Sequence, residues 1–369
     1  MFQTLVFRLL MILGLTGLPW ANADHAWAQA GPFPSTAGPI VVQQVAGPFA
    51  FPWAVAFLPA DNAMLVTERD GNMRLVTDGR ISAPLDGVPD VWANGQGGLL
   101  DVVLSPDFSS TQRVFFTYSE PASLGRARTA LASGILDQSS ARPQLKDVEV
   151  LFQQAPMKRG GRHFGSRIVF APDGTLFVTL GDRGDPPMAQ ALDNHIGKVV
   201  RLNSDGSVPA DNPFVGQPGV KPEIWSYGHR NAQAAVLSPD TGTYFTISHG
   251  ARGGDEVNQP QAGKNYGWPS ISYGTEYSGR PFPGAAREGM EQPLFFWDPS
   301  IAPSGATIYD GDMFPEWRGD LFVGALAAGL ISRLERQGNA VREVERLIPG
   351  HFGRIRDVRT GPDGAIWFL

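Results

Sequence analysis

Six times along this chain a strand-like run meets a tight turn built on proline and an acidic residue, and a second strand-like run follows. The copies cover 54–66 around Pro59-Ala60-Asp61, 100–118 around Pro106-Asp107, and 168–180 around Pro172-Asp173-Gly174. Two more cover 235–247 around Pro239-Asp240 and 358–369 around Pro362-Asp363-Gly364, and a looser one covers 308–323 around Pro315-Glu316. Proline presets φ for the first central turn position, aspartate bonds its own backbone, and glycine accepts positive φ. Runs such as Arg113-Val-Phe-Phe-Thr-Tyr118 are rich in β-branched and aromatic residues, as strands require. No stretch after Phe49 shows sustained helical periodicity. One strand–turn–strand unit in six copies predicts an all-β chain arranged radially, a six-bladed β-propeller. The copies are unevenly spaced, so several blades carry inserted loops. A β-sandwich would not require equivalent motifs in six copies.

Composition limits what such a scaffold does. Hydrophobic residues make up 42% and charged residues 18%, enough for a sizeable core and too apolar for global disorder. The formal net charge is -6 and no stretch forms a basic patch, so nucleic acid is excluded as a partner. There are no cysteines. Thiolate nucleophiles, zinc–thiolate sites and a cysteine lipid anchor are excluded with them.

Arg8 precedes an apolar run from Leu9 to Leu18, with small-residue cleavage patterns at Ala21-Asn22-Ala23 and Ala28-Gln29-Ala30. The run is too short to span a bilayer and reads as an export signal, with an uncleaved interfacial anchor as the alternative. This divides the chain into 1–30, signal and linker, and 31–369, a single propeller domain, exported and periplasmic. No other segment is long and apolar enough to span a membrane.

The segments between repeats hold the chemistry-bearing residues, where loops on a rigid scaffold place function. His163 lies in Gly160-Gly-Arg-His-Phe-Gly-Ser166, just before a repeat strand. It reads as a general base or as a structural loop histidine. Tyr227-Gly-His-Arg-Asn231 precedes another repeat, where Arg230 offers a planar fork suited to carboxylates and Asn231 an amide. Arg354 and Arg356 flank Ile355 before the last repeat. On a strand both would face the same way, which calls for an anion between them or an acidic partner such as Asp357. His249-Gly-Ala-Arg-Gly-Gly-Asp-Glu-Val-Asn258 is dense in glycine and oxygen donors, as calcium prefers, or is a flexible loop with solvated acids. Gln96, between glycines, could reach a substrate hydroxyl or bond backbone. Gly181-Asp-Arg-Gly184 is too short for a dinucleotide fingerprint, and no G-x-S-x-G, P-loop or H-E-x-x-H occurs.

Together these motifs resemble the soluble PQQ-dependent aldose sugar dehydrogenases, a glucose/sorbosone dehydrogenase-like family of six-bladed propellers. The resemblance runs from about Gly47 to Leu369. It is carried by Gly95-Gln-Gly-Gly-Leu-Leu-Asp101, His163-Phe-Gly-Ser-Arg167, Gly181-Asp-Arg-Gly184, Tyr227-Gly-His-Arg-Asn231, Gly253-Gly-Asp-Glu-Val-Asn258, Lys264-Asn-Tyr-Gly-Trp-Pro269, Ile301-Ala-Pro-Ser-Gly305 and Arg354-Ile-Arg-Asp-Val-Arg359, with Pro52-Trp-Ala-Val-Ala-Phe57 before them.

The resemblance implies oxidation of aldoses at the anomeric carbon to lactones, with pyrroloquinoline quinone (PQQ) and Ca2+, and an electron acceptor as partner. It makes His163 the base, and Gln96 and Trp297 substrate contacts. Arg230, Asn231, Arg354 and Arg356 become the groups that hold the cofactor. The carbonyls of Gly250 and Ala251 become ligands of one calcium, and Glu256 and the Tyr266 carbonyl ligands of a second. The chain departs from the family at Ala327, where a lysine is usual, and at Leu369, inside a predicted strand. The latter leaves the last blade short of its outer strand or of a closure with the first blade. A calcium-dependent lactonase and a non-catalytic binding propeller are the competing readings.

Overall fold

In the computed structural model, which describes residues 4–11, 29–59, 62–139, 142–338 and 340–369, the strands form six antiparallel sheets. Blade one is Pro52–Phe57, Ala63–Glu68, Asn72–Thr77 and Arg80–Ile81. Blade two is Leu99–Leu104, Arg113–Ala122, Arg126–Asp137 and Gln144–Gln153, with Lys158–Arg159 paired to its third strand. Blade three is Ile168–Phe170, Leu176–Leu180, Lys198–Leu202 and Ile224–Tyr227. Blade four is Ala232–Leu237, Tyr244–Ser248, Asp255–Asn258 and Phe295–Trp297. Blade five is Pro303–Ile308, Leu321–Ala325, Leu330–Gln337 and Ala340–Leu347. Blade six begins with Val358–Thr360 and Ile366–Phe368.

The architecture is the six-bladed propeller expected from the repeats. Each proline–acid turn joins the first and second strands of a blade, so all six lie at one end of the molecule. The segments that lead into the first strands lie at the other end. The sequence therefore separates a turn face from a functional face.

The inner strands of a blade, such as Ala63–Glu68 and Leu176–Leu180, have two buried faces, which explains their near-continuous apolar character. Phe115 and Phe116 are adjacent and both fully buried, yet they enter different cores. Phe116 packs with Trp53 and Leu65 against blade one, and Phe115 with Ile168 and Val178 against blade three. Period-two alternation sends neighbouring side chains to opposite blade interfaces.

Blade six differs from expectation. It is not short of a strand: Ile366–Phe368 pairs with Thr4–Met11, which pairs with Ile40–Phe49, and Gln29–Phe33 forms the outer edge. Leu9 faces Ile366 on one side and Val42 on the other. Phe7 stacks on Phe368, and Arg8 bonds Asp363 at 2.9 Å. Chain ends far apart in sequence thus close the ring, which leaves the propeller no break between its first and last blades. Thr4–Met11 falls within the segment read as an export signal, so removal of that segment and this strand are alternatives for the same residues. Residues 12–28, which carry most of the expected cleavage region, lie outside the described ones. Among the described residues no helix is long and apolar enough to cross a membrane.

A buried charge network closes the central channel. Arg167 is 1% exposed. Its Nη1 donates to Asp101 at 2.9 Å, its Nη2 lies 3.0 Å from Asp357, and its Nε donates to the Gln233 carbonyl at 2.7 Å. Arg359 bridges the same two acids, each at 3.1 Å. On the turn side of this plug the first strands of all six blades line a cavity of ≈ 490 Å³.

Candidate active site

The loops on the functional face converge around His163. Its backbone has φ 53, and Gly165 and Ser166 follow at φ 64 and φ 92. Three left-handed residues in four bend the loop sharply, a conformation that surrounding contacts must hold. They do so from several blades. The His163 N–H donates to Gln96 Oε1 at 2.8 Å, and the Gln96 N–H donates to the Gly161 carbonyl at 2.7 Å. Asn231 Oδ1 accepts from the Gly165 N–H at 3.1 Å.

The imidazole is oriented by Asp182. His163 Nδ1 lies 2.6 Å from Asp182 Oδ1. An ionised carboxylate only accepts, so Nδ1 carries the hydrogen and Nε2 keeps its lone pair. Asp182 Oδ1 also accepts from the Gly184 N–H at 2.8 Å, and Oδ2 from the Trp268 indole at 2.8 Å. Burial opposes the charge on Asp182, but the hydrogen bonds from His163 and Gly184 outweigh it and hold the carboxyl below its ordinary value. Burial pushes His163 below its ordinary 6.5 against the pull of Asp182, and Arg230 and Arg162 push the same way. The ring is therefore neutral at pH 7, with Nε2 able to accept a proton.

Arg230 and Arg162 lie close to this dyad, and further arginines line a cavity linked to it. Arg230 lies between the rings of Trp268 and Tyr277, 5.3 and 5.9 Å from their centroids. Its Nη1 donates to the His249 carbonyl at 3.3 Å and its Nη2 to the Tyr277 hydroxyl at 3.1 Å, while its buried Nε has no partner. Arg354 and Arg356 lie in the extended segment before strand Val358–Thr360, not on the strand itself. Together with Arg69, Trp53 and Leu326 they line a cavity of ≈ 640 Å³. Burial, helped by Arg167 and Arg354, pushes Arg356 down to about 9. Among the described residues none of Arg230, Arg354 and Arg356 has a carboxylate within ion-pair distance. Gln233 joins the two halves of the site: its Oε1 accepts from Arg356 at 3.1 Å, and its Nε2 donates to the Gly165 carbonyl at 3.2 Å.

Gly250, Glu256 and Tyr266 line one narrow cavity of ≈ 20 Å³ behind Arg230, room for a single water or ion. Burial, helped by nearby Asp255, pushes Glu256 up to about 7. Asn258 Nδ2 donates to its Oε2 at 3.0 Å. Ala251 is the next residue along the chain and does not line this cavity. Among the described residues no three His, Cys, Asp or Glu side chains cluster as a metal site. A cation here would rest on one carboxylate and on carbonyls, a donor set that suits calcium.

Trp297 departs from the expected arrangement. It is 2% exposed and belongs to the core shared by blades four and five, and its indole donates to Glu343 at 3.1 Å. Pairing of Phe295–Trp297 as the outer strand of blade four places this ring in the core, not at the mouth. The sequence reading also missed Asp182, Trp268, Gln233 and Tyr277 as individual residues. An acid inside Gly181-Asp-Arg-Gly184, at the end of a buried strand, was the signal available for Asp182.

A family model described as glucose/sorbosone dehydrogenase matches residues 49–369. The chain belongs to that family. It is 47% identical over 322 residues to the aldose sugar dehydrogenase YliI of Escherichia coli, covering 86% of each chain. The solved apo-form of the soluble aldose sugar dehydrogenase from Escherichia coli superposes with a TM-score of 0.84 at 46% identity, over 87% of this chain and 93% of that one. The PQQ-bound aldose sugar dehydrogenase from Streptomyces coelicolor superposes with a TM-score of 0.73 at 26% identity, over 88% and 95%. Membership makes this chain an oxidoreductase of the sugar dehydrogenase kind.

Proposed function

We propose that the protein oxidises aldoses at the anomeric carbon to lactones, with PQQ and calcium, as an exported enzyme that passes electrons to a separate acceptor. The observation that carries this reading is a neutral, oriented His163 beside Arg230, with Arg356 joined to its loop through Gln233 and neither arginine paired with an acid. A buried orphan donor on Arg230 and unpaired cations on Arg354 and Arg356 are what a small polycarboxylate would satisfy. Arg230, Asn231, Arg354 and Arg356 would hold PQQ. The Gly250 and Ala251 carbonyls would hold one calcium, and Glu256 with the Tyr266 carbonyl a second. When bound, PQQ would supply the acceptor for the hydride leaving C1, and calcium a Lewis acid beside it.

The chain's own residues do the rest. His163 Nε2 takes the proton from the anomeric hydroxyl as the C1–H bond breaks, so the sugar loses one hydride and one proton. Asp182 stabilises the imidazolium that results and keeps its Nδ1–H in place. Gln96, exposed at the mouth and bonded to the His163 loop, is placed to meet a sugar hydroxyl. A neutral lactone would need no arginine clamp, which disfavours a lactonase. An intact dyad disfavours a purely binding propeller. Dye reduction by purified protein given PQQ and calcium, with several aldoses, tests the proposal; lactone hydrolysis without aldose oxidation would overturn it.

Ala327 refines the expectation. It is exposed at the end of strand Leu321–Ala325, one residue from Leu326, whose carbonyl accepts from Arg354 at 3.4 Å. A lysine here would add a cation beside Arg354. A charge-assisted hydrogen bond contributes roughly 1.5–3 kcal/mol, on the order of tenfold to hundredfold in affinity. Ala327→Lys is therefore expected to tighten PQQ binding with little change in melting temperature. Equal affinities in side-by-side titrations would show that Ala327 is not a weak point.

A further inference from the structure

Trp268 has no role in the function derived above, yet it is built into the dyad. We propose that Trp268 is a positioning residue: its indole N–H fixes the Asp182 carboxylate, which holds His163 as the Nδ1–H tautomer with Nε2 free toward the mouth. The inference rests on the reading of His163 as the base.

The geometry is a chain of three side chains sharing one carboxylate. Asp182 Oδ2 accepts from Trp268 Nε1 at 2.8 Å, and Oδ1 lies 2.6 Å from His163 Nδ1. With the Gly184 N–H on Oδ1 as well, both oxygens are engaged and the carboxylate plane is fixed. Asp182 itself is fully buried, so an oxygen without a donor would be costly there.

The indole is a rigid donor because its own backbone is clamped at both ends. The Trp268 N–H donates to the Gly228 carbonyl at 2.9 Å, and its carbonyl accepts from Gln190 Nε2 at 2.7 Å. Gln190 also exchanges hydrogen bonds with the Asn265 amide at 3.0 and 2.8 Å. Gly228 has φ 75, and a Cβ there would collide with Asn265 Oδ1. The glycine of Tyr227-Gly-His-Arg-Asn231 thus lets this motif dock on Asn265-Tyr-Gly-Trp268. That docking brings the indole to Asp182 and the ring to 5.3 Å from the Arg230 guanidinium, with Phe282 on another side at 5.4 Å. One side chain therefore touches both the acid that orients the base and an arginine of the proposed anion clamp.

The consequence lies in the tautomer. A histidine ring freed from its acceptor carries its hydrogen preferentially on Nε2, where the nitrogen cannot take a proton. The charged and titratable groups facing His163 are Asp182, Arg230, Arg162 and His249. Those facing Asp182 are His163, Arg230 and Arg183. Of these only Asp182 accepts a hydrogen bond from Nδ1. Whatever loosens Asp182 therefore loosens the tautomer.

The test is ¹⁵N NMR of the intact protein without added cofactor, with the His163 signals assigned by their loss in His163→Gln. Wild type is expected to show His163 as a single Nδ1–H tautomer above its titration midpoint. In Trp268→Phe the Nε2–H form is expected to reach at least about a tenth of the population, and in Phe282→Leu, a packing control, to stay absent. With PQQ, calcium and an aldose, Trp268→Phe is expected to lose about tenfold in kcat with KM within about threefold. A tautomer unchanged in Trp268→Phe overturns the proposal. Should that variant fail to fold, the wild-type indole signal of Trp268 decides: it is expected to shift with the His163 titration, and indifference overturns the proposal. Absence of aldose oxidation by wild type would refute the proposed function and leave the NMR result standing by itself.

Discussion

Replacing His163 with glutamine is expected to lower turnover at least ~100-fold while PQQ binding is retained, the usual scale for removing a positioned base. Glutamine fills similar space and can still meet Asp182, but it has no site for the proton of the anomeric hydroxyl. Arg230, Arg354 and Arg356 reach the proposed anion site without using the imidazole, so cofactor affinity should survive. The wild type carries a further signature. Protonated His163 cannot act as a base, and burial places its folded value below 6.5. Activity should hold through neutral pH and fall as pH drops through that depressed value, and this acid limb should vanish in the variant. Rapid-mixing rates across pH, with PQQ binding followed by quenching of tryptophan fluorescence, check both parts. Near-normal turnover in His163→Gln would reject the assignment.

Replacing Arg167 with leucine is expected to cost about 3–5 kcal/mol of stability, the range for removing one partner of a buried ion pair. The number is large because Arg167 serves two acids at once. Without it, buried Asp101 and Asp357 share Arg359 alone, and the Gln233 carbonyl loses its 2.7 Å donor. The network spans the axis: Asp101 Oδ2 accepts from the Ile168 N–H at 2.9 Å, and Asp357 Oδ2 from the Val55 N–H at 3.1 Å. Blades one, two, three, four and six meet in it. With an unfolding entropy of roughly 2.1 cal/mol/K per residue, this cost corresponds to a melting temperature lower by about 4–7 °C. Calorimetry checks it, and a shift under about 1 °C would show that the remaining charges rearrange at no cost. Removing Asp101 together with Arg167 should cost less than the two single changes summed, because the pair would be lost without leaving a lone charge.

What was legible in the sequence was local. Turn chemistry at Pro106-Asp107 and Pro172-Asp173-Gly174 marked where first strands end, and the β-branched and aromatic run Arg113-Val-Phe-Phe-Thr-Tyr118 marked a strand. From the six copies came both the blade number and the face on which His163, Arg230 and Arg354 gather. What escaped depends on contacts between distant segments. Asp182 acquires its role only when the loop after strand Leu176–Leu180 meets His163 and Trp268, 86 residues further on. The resemblance implies Trp297 as a substrate contact, but its pairing with Asp255 places the ring in the core shared by blades four and five. The strand Thr4–Met11 overlaps the run read as an export signal, and its pairing with Ile366–Phe368 is a contact between distant segments that no local pattern reveals.

The central claim is that aldose electrons pass to PQQ with His163 as the base. An anaerobic single turnover tests it most directly: protein loaded with PQQ and calcium is mixed with one equivalent of an aldose, and the cofactor spectrum and the sugar are followed together. The account predicts reduction of the bound PQQ with formation of one lactone per cofactor, in step and without any added dye. An unchanged cofactor spectrum with the aldose recovered intact would contradict it.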